Sequence, residues 1–153
     1  MKKLRIVVFV FFLFCKDEKS ITKYLEKTSE ITQFCSQMIP CIHEEIEKAF
    51  QNHPQQKHYL LSKATLKNCQ HEQAQTLESL LKPNQQQVET LSKIYQQGFP
   101  LSLLDIAQYF NDQQKVFLLH YGECSKIIYS SPTCDEKKKT LKSHSSCFVI
   151  YQK

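Results

Sequence analysis

The residues best suited to chemistry in this chain are its sulfurs. Cys35, Cys41, Cys69, Cys124, Cys134 and Cys147 follow one another with five, twenty-seven, fifty-four, nine and twelve residues between them, and Cys15 stands apart near the start. A cysteine can bind metal, act as a nucleophile or form a disulfide, and spacing discriminates among these. Structural zinc is held by cysteines two to four residues apart. No gap here fits, and Cys69-Gln70-His71 supplies two ligands without a second pair, so neither a metal nor another cofactor is expected. A nucleophilic thiol needs a base beside it. The histidines (His43, His53, His58, His71, His120, His144) are scattered, and no short motif joins one to a cysteine. Two carboxylate clusters exist, Glu44-Glu45-x-Glu47 and Asp135-Glu136. Acids on exposed helix faces are ordinary, and the second cluster fits a first helical turn, where the helix dipole favours anions. No Ser-His-Asp set accompanies them. No catalytic residue is assigned, and the chain reads as a non-enzyme.

Six is an even number, and an even count in an exported chain reads as three disulfides. Spacing argues for one of them. Cys41 opens a second helix, and Cys69 lies about fourteen residues into a third beyond Pro54; at about 1.5 Å per residue an antiparallel pair brings both to one end. Cys41–Cys69 is therefore the preferred bridge. Cys35 and Cys41, on either side of Pro40, are expected to hold different partners, and the remaining pairs are not fixed by sequence. The cysteines also form two triplets that begin alike, Cys35-Ser36-x-x-Ile39 before Pro40-Cys41 and Cys124-Ser125-x-x-Ile128 before Pro132-x-Cys134. Two related helical hairpins would explain this, as would two similar helix ends.

The disulfide reading depends on export, and the first twenty residues supply that argument. Met1-Lys2-Lys3-Leu4-Arg5 is a basic start, and Ile6–Phe14 is an unbroken apolar run of nine. Nine residues are too few to span a bilayer, which takes about twenty in a helix. They match the apolar region of an export leader. No A-x-A-like triplet precedes a cut, but Cys15 directly follows the apolar run and directly precedes the polar Lys16-Asp17-Glu18-Lys19-Ser20. This layout resembles the bacterial lipoprotein signal, most closely the loosely specified spirochaete type with its Lys/Asp-rich tethers, although Phe14 occupies a position that is usually small. The resemblance covers residues 1–20 and implies a signal peptide over 1–14, acylation of Cys15 and a tether over 15–20. Membrane anchoring would follow, since each buried CH₂ of an acyl chain contributes about 0.8 kcal/mol.

The remaining residues, 21–153, are expected to form one all-α domain. The whole chain has 153 residues, 41% of them hydrophobic, and one domain is usual at that size. Only two glycines occur, which excludes Gly-rich phosphate loops and disfavours a hairpin-rich β fold. Net charge is +5, but Lys2, Lys3 and Arg5 of the leader account for three of those charges. Arg5 is the sole arginine and Lys137-Lys138-Lys139 lies beside two acids. Arginine forks and a concentrated basic face are what nucleic-acid binding requires, so a nucleic-acid partner is not expected.

Apolar residues recur at helical spacing. Ile21, Leu25, Thr28, Ile31, Cys35 and Met38 predict one helix ending at Pro40, and Cys41 to His53 a second. Leu60, Ala64, Lys67, His71, Ala74 and Leu81 predict a third, continuous or broken near Cys69. Asn84 with Gln87 forms a capping-box pattern and Gly98 sits where a C′ glycine belongs. A short helix capped by Ser102 covers Leu101–Phe110. Another starts at Asp112 with Val116, Phe117, His120, Cys124 and Ile127 inward, and a last runs from Cys134 to about Cys147. Phe148–Tyr151 reads as a strand or an apolar strap. The total is six or seven short helices in an irregular bundle, stapled by up to three disulfides.

Two functions of different class fit. One is a non-enzymatic exported lipoprotein of the cell envelope, held to a membrane through Cys15 and acting by protein contacts. The other is a soluble secreted carrier of small apolar ligands. Six cysteines on six helices resembles the insect odorant-binding proteins, whose second and third cysteines have three residues between them where this chain has twenty-seven.

Overall fold

The computed structural model describes residues 20–98 and 101–147. Eight helices follow in order: α1 (Thr22–Leu25), α2 (Ser29–Ala49), α3 (Pro54–Lys63), α4 (Leu66–Leu81), α5 (Gln85–Gln96), α6 (Leu103–Ala107), α7 (Asp112–Ser130) and α8 (Cys134–Ser143). A helical turn at 145–147 comes last, and no strand occurs among the described residues. The fold is all-α, as the periodicity predicts. Phe148–Tyr151, Cys15 and the leader lie outside the described residues.

The core forms where α2, α4 and α7 meet, with α2 and α7 sharing the most extensive interface. Phe34 of α2 packs against Tyr121 of α7 with ring centroids 5.8 Å apart. Ile31, Leu77, Leu81, Leu91, Leu103, Ile106, Leu118 and Ile128 are fully buried around them. Burying each such side chain contributes about 1.5–3 kcal/mol.

The first predicted stripe is correct in content, since Ile21, Leu25, Thr28, Ile31, Cys35 and Met38 are all buried. It is carried by two helices, not one. The chain leaves α1 through 3₁₀-type bonds and re-enters α2 from an extended Thr28 (ψ 147°), whose hydroxyl donates to the Leu25 carbonyl at 2.8 Å. The expected stop at Pro40 is wrong. α2 runs through it to Ala49. Proline removes one donor, here the one for the Ser36 carbonyl. Ser36 and Pro40 are both exposed, so water can take that acceptor.

The third predicted helix does break, but at Ala64-Thr65 and not near Cys69, which lies inside α4; Thr65 caps α4 by accepting from the Asn68 N–H at 3.2 Å. Its inner face is Ala74, Leu77 and Leu81, whereas Lys67 and His71 are exposed. The α7 stripe also differs from expectation. Leu118, Tyr121, Cys124, Ser125 and Ile128 turn inward, and Val116 and Leu119 are exposed. α7 is apolar on more than one side, so periodicity alone does not choose the buried one. The lysine run is not wholly a solvated face. Lys137 is buried and donates to the Gln37 side chain at 3.0 Å, and Lys138 pairs with Glu45.

The capping signals hold. Asn84 and Gln87 form a capping box, and Gln87, itself buried, donates to Gln114 of α7 at 2.9 Å. Gly98 has φ 77°, a left-handed conformation glycine adopts without strain. Gly122, by contrast, lies inside α7, and a Cβ there would meet only the Glu30 Cγ at 4.0 Å. Gly122→Ala should therefore stabilise the protein by about 1 kcal/mol through helix propensity, read as a higher urea midpoint. A lower midpoint would mean that α2 and α7 tolerate no added methyl at their closest approach.

Ser102 and Asp105 form a second capping box, at the start of α6. The Ser102 hydroxyl and N–H donate to the Asp105 carboxylate at 2.7 and 3.1 Å, holding its carboxyl below the usual range, the hydroxyl first. A depressed carboxyl supports the fold above its unfolded pKa, and that support is lost as pH falls through its folded value. In an NMR titration Asp105 should ionise at lower pH than an unfolded-chain aspartate, and Ser102→Ala should raise that midpoint. Identical curves for the two proteins would eliminate the cap as the cause.

Three disulfides lock the helices. Cys35–Cys69 joins α2 to α4, Cys41–Cys134 joins α2 to α8, and Cys124–Cys147 joins α7 to the closing turn, with Cα separations of 5.8, 5.3 and 5.0 Å. The expected Cys41–Cys69 pair does not form. Because α2 continues past Pro40, Cys41 is not the start of a helix antiparallel to α4, and Cys35 lies opposite Cys69 instead. Cys35 and Cys41 do hold different partners. The connectivity is symmetric between the two cysteine triplets: first bonds third within each, and second bonds second across them. Disulfides of this number persist in oxidising compartments, extracellular or equivalent.

Candidate functional site: an apolar groove beside the second helix

The part of α2 beyond Cys41 is unlike the rest of the molecule. Cys41 is its last buried residue, and α3, which packs beside it, has none. Apolar side chains are nonetheless present there. Ile42, Ile46, Phe50, Leu60 and Leu61 are all only half-buried. Ile42, Ile46 and Leu60 border a groove of about 380 Å³ running along α2 from Phe34 through Met38, Ile39 and Ile42 to Ile46. The opposite wall is Leu60, Lys63 and Ala64 at the end of α3, then Asn68, Cys69, Glu72 and Gln73 of α4, with Leu141 of α8 at one side. A second depression of about 390 Å³ continues past Leu60 to Phe50 and Tyr59.

Local geometry explains why the groove stays open. The break at Ala64-Thr65 turns the chain between α3 and α4, and the His43 ring Nε2 donates to the Ala64 carbonyl at 2.6 Å. Asn68 Nδ2 donates to the Lys63 carbonyl at 2.8 Å, closing the same corner. At the outer end the Lys57 ammonium meets the Glu47 carboxylate at 2.9 Å. These contacts hold α3 beside α2 without covering the apolar stripe. The Lys63 Nζ lies 5.7 Å from the Tyr59 ring centroid and has no acidic partner among the described residues. No family model, curated protein or solved structure matches this chain.

The sequence-predicted site residues are distributed as follows. The six cysteines named for disulfides all pair, Cys69 lining the groove and Cys35 behind it. His71 pairs with Glu26 and not with a metal-ligand set. Among the described residues, no three His, Cys, Asp or Glu side chains converge in a way that would hold a metal ion. Nor does any described helix combine the length and apolarity needed to cross a membrane.

Sequence reasoning missed the groove. Its signal was nonetheless present: Ile39, Ile42, Ile46 and Phe50 follow helical spacing, while the neighbouring α3 segment, Pro54–Lys63, has too few apolar residues to cover them.

A different surface lies where the described chain begins. The Ser20 hydroxyl and the Ile21 and Thr22 N–H groups donate to the Glu78 carboxylate at 2.8, 3.1 and 2.9 Å, and the Thr22 hydroxyl does so too. Tyr24 stacks on Tyr95 at 5.1 Å, with Lys23 and Lys27 over the two rings. Lys27 also donates to the Tyr95 hydroxyl, which raises its pKa. One carboxylate from α4 thus fixes the start of the described chain, residues 20–22.

Proposed function

We propose that this protein is an exported, non-enzymatic helical lipoprotein of the cell envelope. The leader 1–14 is removed, Cys15 is acylated, and the domain acts at the periplasmic or outer face by contact with other proteins. The observation that carries this reading is the complete pairing of the six domain cysteines. It is the covalent state an exported chain acquires, and it leaves Cys15, at the end of the apolar run, as the seventh cysteine outside that framework. Residues 20–22, where the proposed tether would join the domain, are held by the Glu78 carboxylate. Intact mass of the mature protein tests it. The expected mass begins at Cys15, includes acyl chains, and rises by about six hydrogens on reduction. A mass that retains Met1, with all seven cysteines as free thiols, would overturn it.

A second reading, a carrier of small apolar ligands, is favoured by one observation, the half-open groove along α2. Its volume lies at the small end of the roughly 300–1,000 Å³ usual for ligand sites. The two readings are compatible, since an anchored domain can also carry a ligand.

A further inference from the structure

We infer that the groove along α2 binds the anion of a long-chain fatty acid, with Lys63 receiving the carboxylate. This rests on the carrier reading and does not depend on acylation of Cys15.

The shape argument comes first. From Phe34 to Ile46 the lining covers twelve residue steps of α2, about 18 Å at the helical rise. A volume of about 380 Å³ over that length gives a cross-section of roughly 20 Å², enough for one extended alkyl chain lying in the open groove. The wall is suited to such a chain: Met38, Ile42, Ile46, Leu60 and Leu141 present methyl and methylene groups.

Charge selects the head group. Lys63 lies on the lining and no carboxylate pairs with it among the described residues. The opposing charge on the lining, Glu72, is seven residues beyond Thr65 along α4, about 10 Å away at the helical rise. A carboxylate at Lys63 therefore meets an ammonium whose described neighbour is the Tyr59 ring and not an acid, and the chain extends from there along the stripe of α2.

Stability supplies the third argument. α3 has ten residues and buries none of them. An isolated helix of that length is marginal in water. An alkyl chain between Leu60 and the α2 isoleucines would give α3 the apolar contact it lacks.

The test uses the oxidised full chain and three fourteen-carbon probes below their micelle concentrations: tetradecanoate, tetradecylamine and tetradecanol. Tetradecanoate should bind at one site, more tightly than either of the others, and should slow amide exchange in α3 and in α2 beyond Cys41. Lys63→Gln should weaken it about tenfold, the effect of one charge-assisted hydrogen bond. Ile42→Glu should abolish binding, with folding checked by far-UV circular dichroism and by the absence of free thiols. If Ile42→Glu misfolds, Lys63→Gln decides alone. Absence of saturable tetradecanoate binding would overturn the inference. So would equal or tighter binding of the amine, unchanged affinity in Lys63→Gln, or exchange protection confined to other helices. None of these results would alter the mass measurement that tests export and acylation.

Discussion

Replacing Cys41 and Cys134 together by serine should lower the unfolding free energy by about 5 kcal/mol, the largest loss among the three bridges. The reason is loop length. This bridge closes a separation of 93 residues, against 34 for Cys35–Cys69 and 23 for Cys124–Cys147. In the chain-entropy account a loop near 100 residues contributes about 4.7 kcal/mol and one near 15 about 3. It is also the bridge that ties the first half of the chain to α8, beside the Lys137–Gln37 and Lys138–Glu45 contacts with α2. Urea unfolding of the three double-serine variants checks the order. If the Cys124/Cys147 variant loses as much as the Cys41/Cys134 variant, native contacts and not loop closure set the energetics.

Glu78→Ala should cost about 3 kcal/mol, an unusually large effect for a partly exposed carboxylate. Four donors converge on it: the Ser20 and Thr22 hydroxyls and the Ile21 and Thr22 N–H groups. Hydrogen bonds to a charged group contribute about 1.5–3 kcal/mol each when considered singly, and those sharing one acceptor do not add fully. The loss should be local in its dynamics. Amides of α1 should exchange much faster, while those of α7 should slow down or speed up only in line with global stability. Glu78→Gln keeps two acceptor lone pairs and should lose about half as much. Equal destabilisation of the two variants would mean the charge, not the hydrogen-bond geometry, is what seats the N-terminal segment.

Much of this fold can be read from residue order, for identifiable reasons. Helical class follows from the three-four spacing of Ile21 to Met38 and from capping residues whose chemistry is local: Asn84 with Gln87, Ser102 with Asp105, Gly98 after α5. Pairing of an even set of sulfurs is equally legible. Their partners are not, because connectivity is tertiary. The Cys41–Cys69 expectation failed on one local assumption, that Pro40 ends a helix. A proline on an exposed helix face costs a single hydrogen bond, and the apolar burial of Phe34, Met38 and Cys41 on the other face outweighs it. Choice of face on α7 failed because Val116 and Leu119 are as apolar as Leu118, and tertiary partners such as Phe34, the Glu30 carbonyl and the Cys124–Cys147 bridge determine which side turns inward. The groove was missed for a different reason. The stripe Ile39, Ile42, Ile46 and Phe50 is periodic and legible, but that α3 leaves it uncovered follows only from how few apolar residues Pro54–Lys63 can set against it.

The positions of two sulfurs on α2 have a mechanical consequence. Cys35 and Cys41 are six residues apart, about 9 Å along the helix axis, and each is bolted to a different neighbour, α4 and α8. Two bolts on one rod forbid both rotation about its axis and sliding along it. The stretch beyond the second bolt, 42–49, is left as a cantilever, clamped at its root and braced from outside by the Lys138–Glu45 pair of α8 and the Lys57–Glu47 pair of α3. Bending there would change the width of the gap to α4 while leaving the clamped region of α2 in place.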